Sequence, residues 1–249
     1  MMLKAFIKEG IDLFWPRDLT CNVCQKELEK DETDLCPACI QTIRVIRDTV
    51  CKHCGKPIDQ AVEAHAVYGF KCKECQEHFS YFKKHRSYAL YEGGMKKSLM
   101  DLKYKGKTHH LRYLIGCMNE VMEEHMDFKD VDFVVPVPIH ILRRAERGYN
   151  QTEFLARGIC DSRPSLTYSN VLKRSKPTKK LKILDKEARK SMLKDAIILN
   201  KKTKVSLEGK RVLLVDDIYT TGTTLDACAK TLYEAGVDEV MCITVAMGY

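Results

Sequence analysis

The pattern of apolar and polar positions changes character near residues 79–85. Before that point long hydrophobic periodicity is scarce. After it, short apolar runs alternate with amphipathic stretches. In the first part, Leu3, Phe6, Ile7, Ile11 and Phe14 have helical spacing, and Pro16 ends the helix they predict. In the second part, Ser87–Tyr91 reads as a strand, and Met95–Tyr104 and Leu111–His125 read as helices. Phe133–Val137 is apolar and β-branched, which predicts a buried strand stopped by Pro136 and Pro138. Gln151–Ile159 predicts a helix, Arg211–Val215 a second buried strand, Thr223–Ala235 a helix closed by Gly236, and Val240–Ala246 a last strand. Such alternation predicts an α/β domain with a mainly parallel sheet, preceded by a smaller unit. The boundary is placed so that residues 1–82 form one unit and 83–249 the other.

Cysteine supplies what the first unit lacks in apolar periodicity. Eight of the 12 cysteines fall between residues 21 and 75 in four CxxC pairs: Cys21/Cys24, Cys36/Cys39, Cys51/Cys54 and Cys72/Cys75. Two such pairs complete a tetrahedral thiolate shell, so they predict one or two closed, structural zinc sites. Spacing leaves sequential and interleaved pairing open. The blocks 21–39 and 51–75 form a weak internal repeat. His53, His65 and His78 read as bystanders, and Cys117, Cys160, Cys228 and Cys242 as small core residues. No run of about 18 apolar residues predicts a membrane span. Lys4, Lys8, Glu9 and Asp12 interrupt any signal-peptide core, so the expected compartment is the cytoplasm, where thiols stay reduced. The helix around Phe6, Phe14 and Trp15 is expected to cap the cysteine module.

Charge changes the picture locally. The chain carries 42 Lys and Arg against 34 Asp and Glu, a net of +8. Residues 143–190 hold 14 basic and 5 acidic residues, a net of +9, so the remainder is nearly neutral. The excess is a strip, and a strip points to an anionic ligand.

The strongest chemical signal lies at residues 212–224, Val-Leu-Leu-Val-Asp-Asp-Ile-Tyr-Thr-Thr-Gly-Thr-Thr. An apolar strand delivers Asp216 and Asp217 at its carboxyl end, where open parallel sheets bind ligands. Thr220, Thr221, Gly222, Thr223 and Thr224 then lead into a helix N-terminus, which favours an anion. The two carboxylates would repel a phosphate, so they suit a ribose diol or a Mg²⁺ carried by a diphosphate. Arg143, Arg144 and Arg147, beyond the strand ending at Pro138, add guanidinium groups suited to a pyrophosphate.

This segment resembles the phosphoribosyl-pyrophosphate (PRPP) motif of type I phosphoribosyltransferases. Together with Val134–Pro138, Lys103-Tyr104-Lys105-Gly106, the run from Arg143 to Gln151 and the four CxxC pairs, it resembles the ComF family over essentially the whole chain. The resemblance implies a type I phosphoribosyltransferase-like domain after a zinc module. It assigns Asp216 and Asp217 to the ribose hydroxyls, Thr220–Thr224 to the 5′-phosphate, and the arginine cluster to pyrophosphate. It implies a loop over residues 173–190 that closes on PRPP. Leu181, Met192 and Ile197 depart there from the Gln, Asn and Phe of relatives.

Two functions are expected from these features. One is a PRPP-binding protein of DNA uptake, acting with other competence proteins. It would touch single-stranded DNA through Lys173, Arg174, Lys176, Lys179, Lys180 and Lys182, with Tyr149 and Tyr168 near the strip for stacking. The alternative is an active phosphoribosyltransferase, with Asp216 and Asp217 as catalytic groups and an unidentified base or nucleotide as acceptor.

Overall fold

The computed structural model describes residues 19–29, 32, 34–47, 49–58, 71–175 and 196–248. The expected helix at Leu3–Phe14, His65, Lys176, Lys179, Lys180, Leu181, Lys182 and Met192 lie outside them.

The chain from residue 84 builds a five-stranded sheet from β1 (Lys84–Leu90), β2 (Phe133–Pro136), β3 (Thr167–Tyr168), β6 (Arg211–Tyr219) and β7 (Glu239–Met247). The order is β1-β7-β6-β2-β3, and every pairing is parallel. A separate antiparallel pair joins β4 (Leu172–Arg174) to β5 (Ile197–Leu199). Parallel strands need covered faces, and their alternating side chains show how both are covered. On one face Val134, Leu213, Val215, Met241, Ile243 and Val245 share a core with the helices α3 (Gly93–Tyr104), α4 (His110–Glu124) and α6 (Gln151–Asp161). On the other, Val135, Val212, Leu214, Val240 and Cys242 meet α7 (Thr223–Tyr233) through Leu225, Cys228, Ala229 and Leu232. The buried positions of α4, from Leu111 through Leu114, Ile115, Met118, Val121 and Met122, repeat at the helical spacing the sequence displays.

Two differences from expectation shape the site. The second buried strand does not stop at Val215. It continues in register with β7 to Tyr219, with Asp216 opposite Thr244 and Tyr219 opposite Met247. The acidic pair is therefore held by ladder hydrogen bonds inside a strand, not on a loop after it. The segment Ile141–Arg147 forms a short exposed helix, α5, begun by His140, whose Nδ1 accepts from the Leu142 amide. Hydrophobic spacing gave no notice of it, because it has no buried residues.

The two CxxC blocks are structural repeats. Cys21 N–H bonds the carbonyl of Lys26 as Cys51 N–H bonds that of Lys56, and Cys36 N–H points at Cys21 Sγ as Cys72 N–H does at Cys51 Sγ. A short helix begins inside the second pair of each block, α1 (Pro37–Ile40) after Cys36 and carrying Cys39, and α2 (Lys73–Glu77) after Cys72 and carrying Cys75. The repeats dock on the sheet at its β1 edge, where Val45 pairs with Ala89 and Ile46 N–H bonds the Tyr88 carbonyl. That contact covers an otherwise open strand edge.

Candidate functional site

The eight paired cysteines come together as two groups, Cys21/Cys24/Cys36/Cys39 and Cys51/Cys54/Cys72/Cys75, with the sulfurs of each group within 4.8 Å of one another. Pairing is thus sequential. Four thiolates bound about 2.3 Å from one ion lie about 3.8 Å apart. The Cys24–Cys36 and Cys54–Cys72 sulfurs lie at 3.7 and 3.6 Å. Amide N–H groups already directed at Cys21 and Cys51 sulfur favour the thiolate form. Hydrogen bonding within the Cys51–Cys54 pair, reinforced by amides, holds the Cys51 thiol down at about 4. Both groups fit structural zinc. His53 stands apart from the sulfurs, stacked on Phe82 with its Nδ1 at the Lys83 carbonyl. Of the isolated cysteines, Cys117, Cys228 and Cys242 are buried, and Cys160 is half-buried against the core.

At the other end of β6, the acidic pair divides by environment. Asp217 is 5% exposed. Its Oδ2 accepts from Lys103 Nζ at 2.7 Å and from Gln151 Nε2 at 2.8 Å. Gln151 Oε1 in turn accepts from Arg147 Nη1 at 3.1 Å, and the Arg147 guanidinium lies 5.4 Å from the centre of the Tyr104 ring. The array Arg147–Gln151–Asp217–Lys103 therefore joins the three motifs that the sequence presents separately. Asp216 has a different partner, the amide of Asp217, at 2.8 Å. Burial, followed by the neighbouring Asp217 charge, pushes its carboxyl up to about 7, while Lys103 and Arg174 pull the other way. One carboxylate is thus matched to a cation and the other hovers at the edge of ionisation near neutral pH.

The loop beyond them is open. Thr220 and Thr221 are exposed, and Thr221 and Thr223 hydroxyls contact each other at 2.7 Å. Gly222 caps α7 with φ of 72°, a left-handed conformation that costs a side-chain-bearing residue about 1–2 kcal/mol. No side chain caps the helix, so its first-turn amides, those of Thr223 and Thr224 among them, lack intrahelical acceptors. Donors arranged in this way suit a phosphate.

The predicted arginines separate. Arg147 belongs to the array, Arg144 pairs with Glu153 at 2.9 Å, and Arg143 is exposed with its charge acting on Arg174. Of the residues expected at DNA, Lys173 is exposed in β4. Arg174 is half-buried, and its charge acts on Asp216. Tyr149 donates to the Leu102 carbonyl, and Tyr168 lies under the Arg157 guanidinium at 4.0 Å. Lys103 and Gln151 were not expected as site residues, although both stand inside the quoted motifs. The signal was a basic residue at the end of the amphipathic α3, and an amide at the first position of α6.

Residues 10–76 match the family described as a double zinc ribbon domain, and residues 132–248 that of the phosphoribosyl transferase domain. The chain is 29% identical to Competence protein ComFC of Bacillus subtilis, over 88% of this chain and 90% of the relative. It is 24% identical to DNA utilization protein YhgH of Escherichia coli, over 88% and 93% respectively. A solved hypoxanthine phosphoribosyltransferase from Staphylococcus aureus covers 54% of this chain and 62% of its own, at 17% identity and a TM-score of 0.36. The sheet is thus of phosphoribosyltransferase type, preceded by zinc-ribbon groups.

Proposed function

We propose that this chain, which belongs to the ComF family of phosphoribosyltransferase-like proteins, binds PRPP with Mg²⁺ and serves DNA uptake in natural transformation. The observation that carries the reading is the Arg147–Gln151–Asp217–Lys103 array beside an uncapped α7. A ligand spanning the two would carry a diol at one end and a phosphate at the other, as PRPP does. Asp216 and Asp217 accept from the ribose hydroxyls, the amides and hydroxyls of Thr220–Thr224 take the 5′-phosphate, and Arg143, Arg144 and Arg147 face the pyrophosphate. Mg²⁺ takes oxygen ligands and would arrive on the diphosphate oxygens of PRPP. A division at residue 82 makes the ribbons one unit and residues 83–249 the other. The cytoplasm, where thiols stay reduced, is the compartment this assignment requires.

Similarity to proteins named for competence and DNA utilization supports the role in DNA uptake. Within that role, Lys173 and the basic residues that follow it contact single-stranded DNA, and other competence proteins are the partners. Calorimetry with PRPP and Mg²⁺ tests the ligand. We expect binding by the natural chain and none by the Asp216→Asn, Asp217→Asn double variant; full affinity in that variant refutes the assignment. A fluorescence titration with a single-stranded oligonucleotide tests the second contact, which must weaken steeply with salt.

The alternative is an active phosphoribosyltransferase, which the acidic pair near the carboxyl end of β6 would serve. In that reaction the bond between ribose C1 and the diphosphate oxygen breaks and pyrophosphate leaves with the electron pair. C1 then bonds the acceptor nitrogen, which gives up its proton. Asp216 and Asp217 would stabilise the positive charge developing on the ribose, and the arginines the leaving group. Pyrophosphate release across a panel of bases tests it, and silence across the panel counts against turnover.

A further inference from the structure

We propose that the second cysteine group and the phosphate loop are one mechanical unit, coupled through Tyr219, so that metal at Cys51/Cys54/Cys72/Cys75 and phosphate at Thr220–Thr224 strengthen each other's binding. The proposal rests on the reading of Thr220–Thr224 as a phosphate site.

Tyr219 is the last residue of β6 and lies directly before the loop. One side of its ring faces the ribbon. It stacks on His85 with centroids 4.2 Å apart and planes 22° from parallel, and it packs against the Cys51/Cys54/Cys72 cluster. His85 is fully buried and has no freedom to yield. Its Nδ1 lies 2.7 Å from the Cys54 carbonyl, which can only accept, so that nitrogen carries the proton. Its Nε2 then accepts from Thr244 or Ser87, whose hydroxyls lie at 3.0 and 3.3 Å. Its own amide donates to the His53 carbonyl of the same knuckle at 2.7 Å.

The loop rests on the phenol end of the same ring. A Cβ built on Gly222 would stand 2.7 Å from Tyr219 Oη and 3.0 Å from Cε2. Knuckle, imidazole, phenol and loop backbone are therefore stacked in van der Waals or hydrogen-bond contact without an intervening gap. A second tether runs parallel to the stack: Asp226 of α7 accepts from the Tyr81 amide, just beyond α2, at 2.5 Å. Among the described residues the first cysteine group has no such connection. Its neighbours are Ile43 and Tyr113, on the α4 side of the molecule.

A filled thiolate shell fixes its knuckle backbone, the Cys54 carbonyl included. That carbonyl orients His85, and His85 positions Tyr219 under Gly222. Tyr219 is thus a positioning residue for phosphate binding. Linkage requires the effect to be reciprocal: whatever metal does for the anion, the anion does for the metal.

Ribose 5-phosphate is the probe, since it carries the 5′-phosphate and the diol of the proposed ligand without a chelating diphosphate. Zinc-loaded full-length protein is mixed with a chromophoric chelator, with and without saturating ribose 5-phosphate, and its binding is followed separately by calorimetry. Two zinc equivalents are expected to leave in two phases, one slowed at least about fivefold by the sugar phosphate, within the usual range of allosteric coupling. The other phase serves as the internal control and stays unchanged. Tyr219→Leu removes the slowing and Tyr219→Phe, which keeps the ring, retains it. Should Tyr219→Leu fail to fold, Gly222→Ala replaces it. Its methyl group drives the ring toward His85, and one zinc phase accelerates with no ligand present. Binding of ribose 5-phosphate with both phases unchanged overturns the coupling alone, as does retained slowing in Tyr219→Leu, or unaltered release in Gly222→Ala. Absence of binding to the natural protein overturns the phosphate reading, and the coupling falls with it.

Discussion

Lys103 and Asp217 form a 2.7 Å ion pair in which the two side chains are only 14% and 7% exposed. The pair spans the sheet's helical layer, since Lys103 belongs to the last turn of α3 and Asp217 to the carboxyl end of β6. It means that the acidic pair is not a doubly charged patch waiting for cations. Asp217 is already balanced, and Gln151 fixes the orientation of its carboxylate. Held in that orientation, the carboxylate can accept from a ribose diol without rearranging, as preorganised binding requires.

Removing one member of a buried pair strands the other charge. Lys103→Met is expected to lower unfolding stability by about 3 kcal/mol or more. Asp217→Leu alone is expected to cost a similar amount. The double variant, in which no charge is stranded, is expected to recover a large part of the loss. Urea denaturation of the four proteins checks this, and strict additivity of the single losses would contradict a direct pair.

Asp216 gives a pH signature. Its folded-state carboxyl sits at about 7, above the ordinary carboxylate range. Between the unfolded value near 4 and about 7, folding takes up a proton, so stability falls as pH rises through that window and levels off above it. Asn carries no such penalty and still accepts from the Asp217 amide. The melting temperature of Asp216→Asn is expected to exceed that of the natural chain at pH 8, with the gap closing toward pH 4. A gap independent of pH would contradict the raised value.

What the sequence made legible was local. The apolar run before Asp216 announced β6, the CxxC spacing announced both metal groups, and helical periodicity gave α3, α4, α6 and α7 to within a few residues. Three things were not local. Whether Cys24 meets Cys36 or a cysteine of the second block depends on how the knuckles fold back, which spacing does not encode. The extension of β6 to Tyr219 depends on the ladder offered by β7, since Asp-Asp-Ile-Tyr has little strand preference at its acidic end. The choice of Lys103 as partner of Asp217 depends on packing α3 and β6 together, and neither motif mentions the other. The helix α5 escaped notice because no buried stripe marks it.

Loss of one ligand should empty one site and spare its neighbour, because the two groups share no cysteine. Zinc-loaded Cys24→Ser and Cys54→Ser are each expected to retain one zinc equivalent where the natural protein holds two, by metal analysis after gel filtration. Cys24→Ser is expected to leave the His85–Tyr219 contact intact, so its near-ultraviolet tyrosine signal changes less than that of Cys54→Ser. Loss of both ions from either variant would show that the repeats fold as one metal cluster.

Gly55 and Gln25 occupy the same turn in the two ribbons, each donating its amide to the first cysteine of its block, with φ of 72° and 65°. Only one has room to vary. A Cβ on Gly55 would stand 2.8 Å from the His85 carbonyl oxygen, whereas Gln25 reaches outward, donates to the Cys21 carbonyl and accepts from Lys107. Gly55→Ala therefore adds left-handed strain to a backbone collision, together about 2 kcal/mol or more. Gln25→Ala keeps its φ and loses only side-chain hydrogen bonds that solvent replaces, about 1 kcal/mol. Urea unfolding of the two zinc-loaded variants measures the difference, and a Gly55→Ala variant as stable as Gln25→Ala would show that the knuckle can lift away from β1.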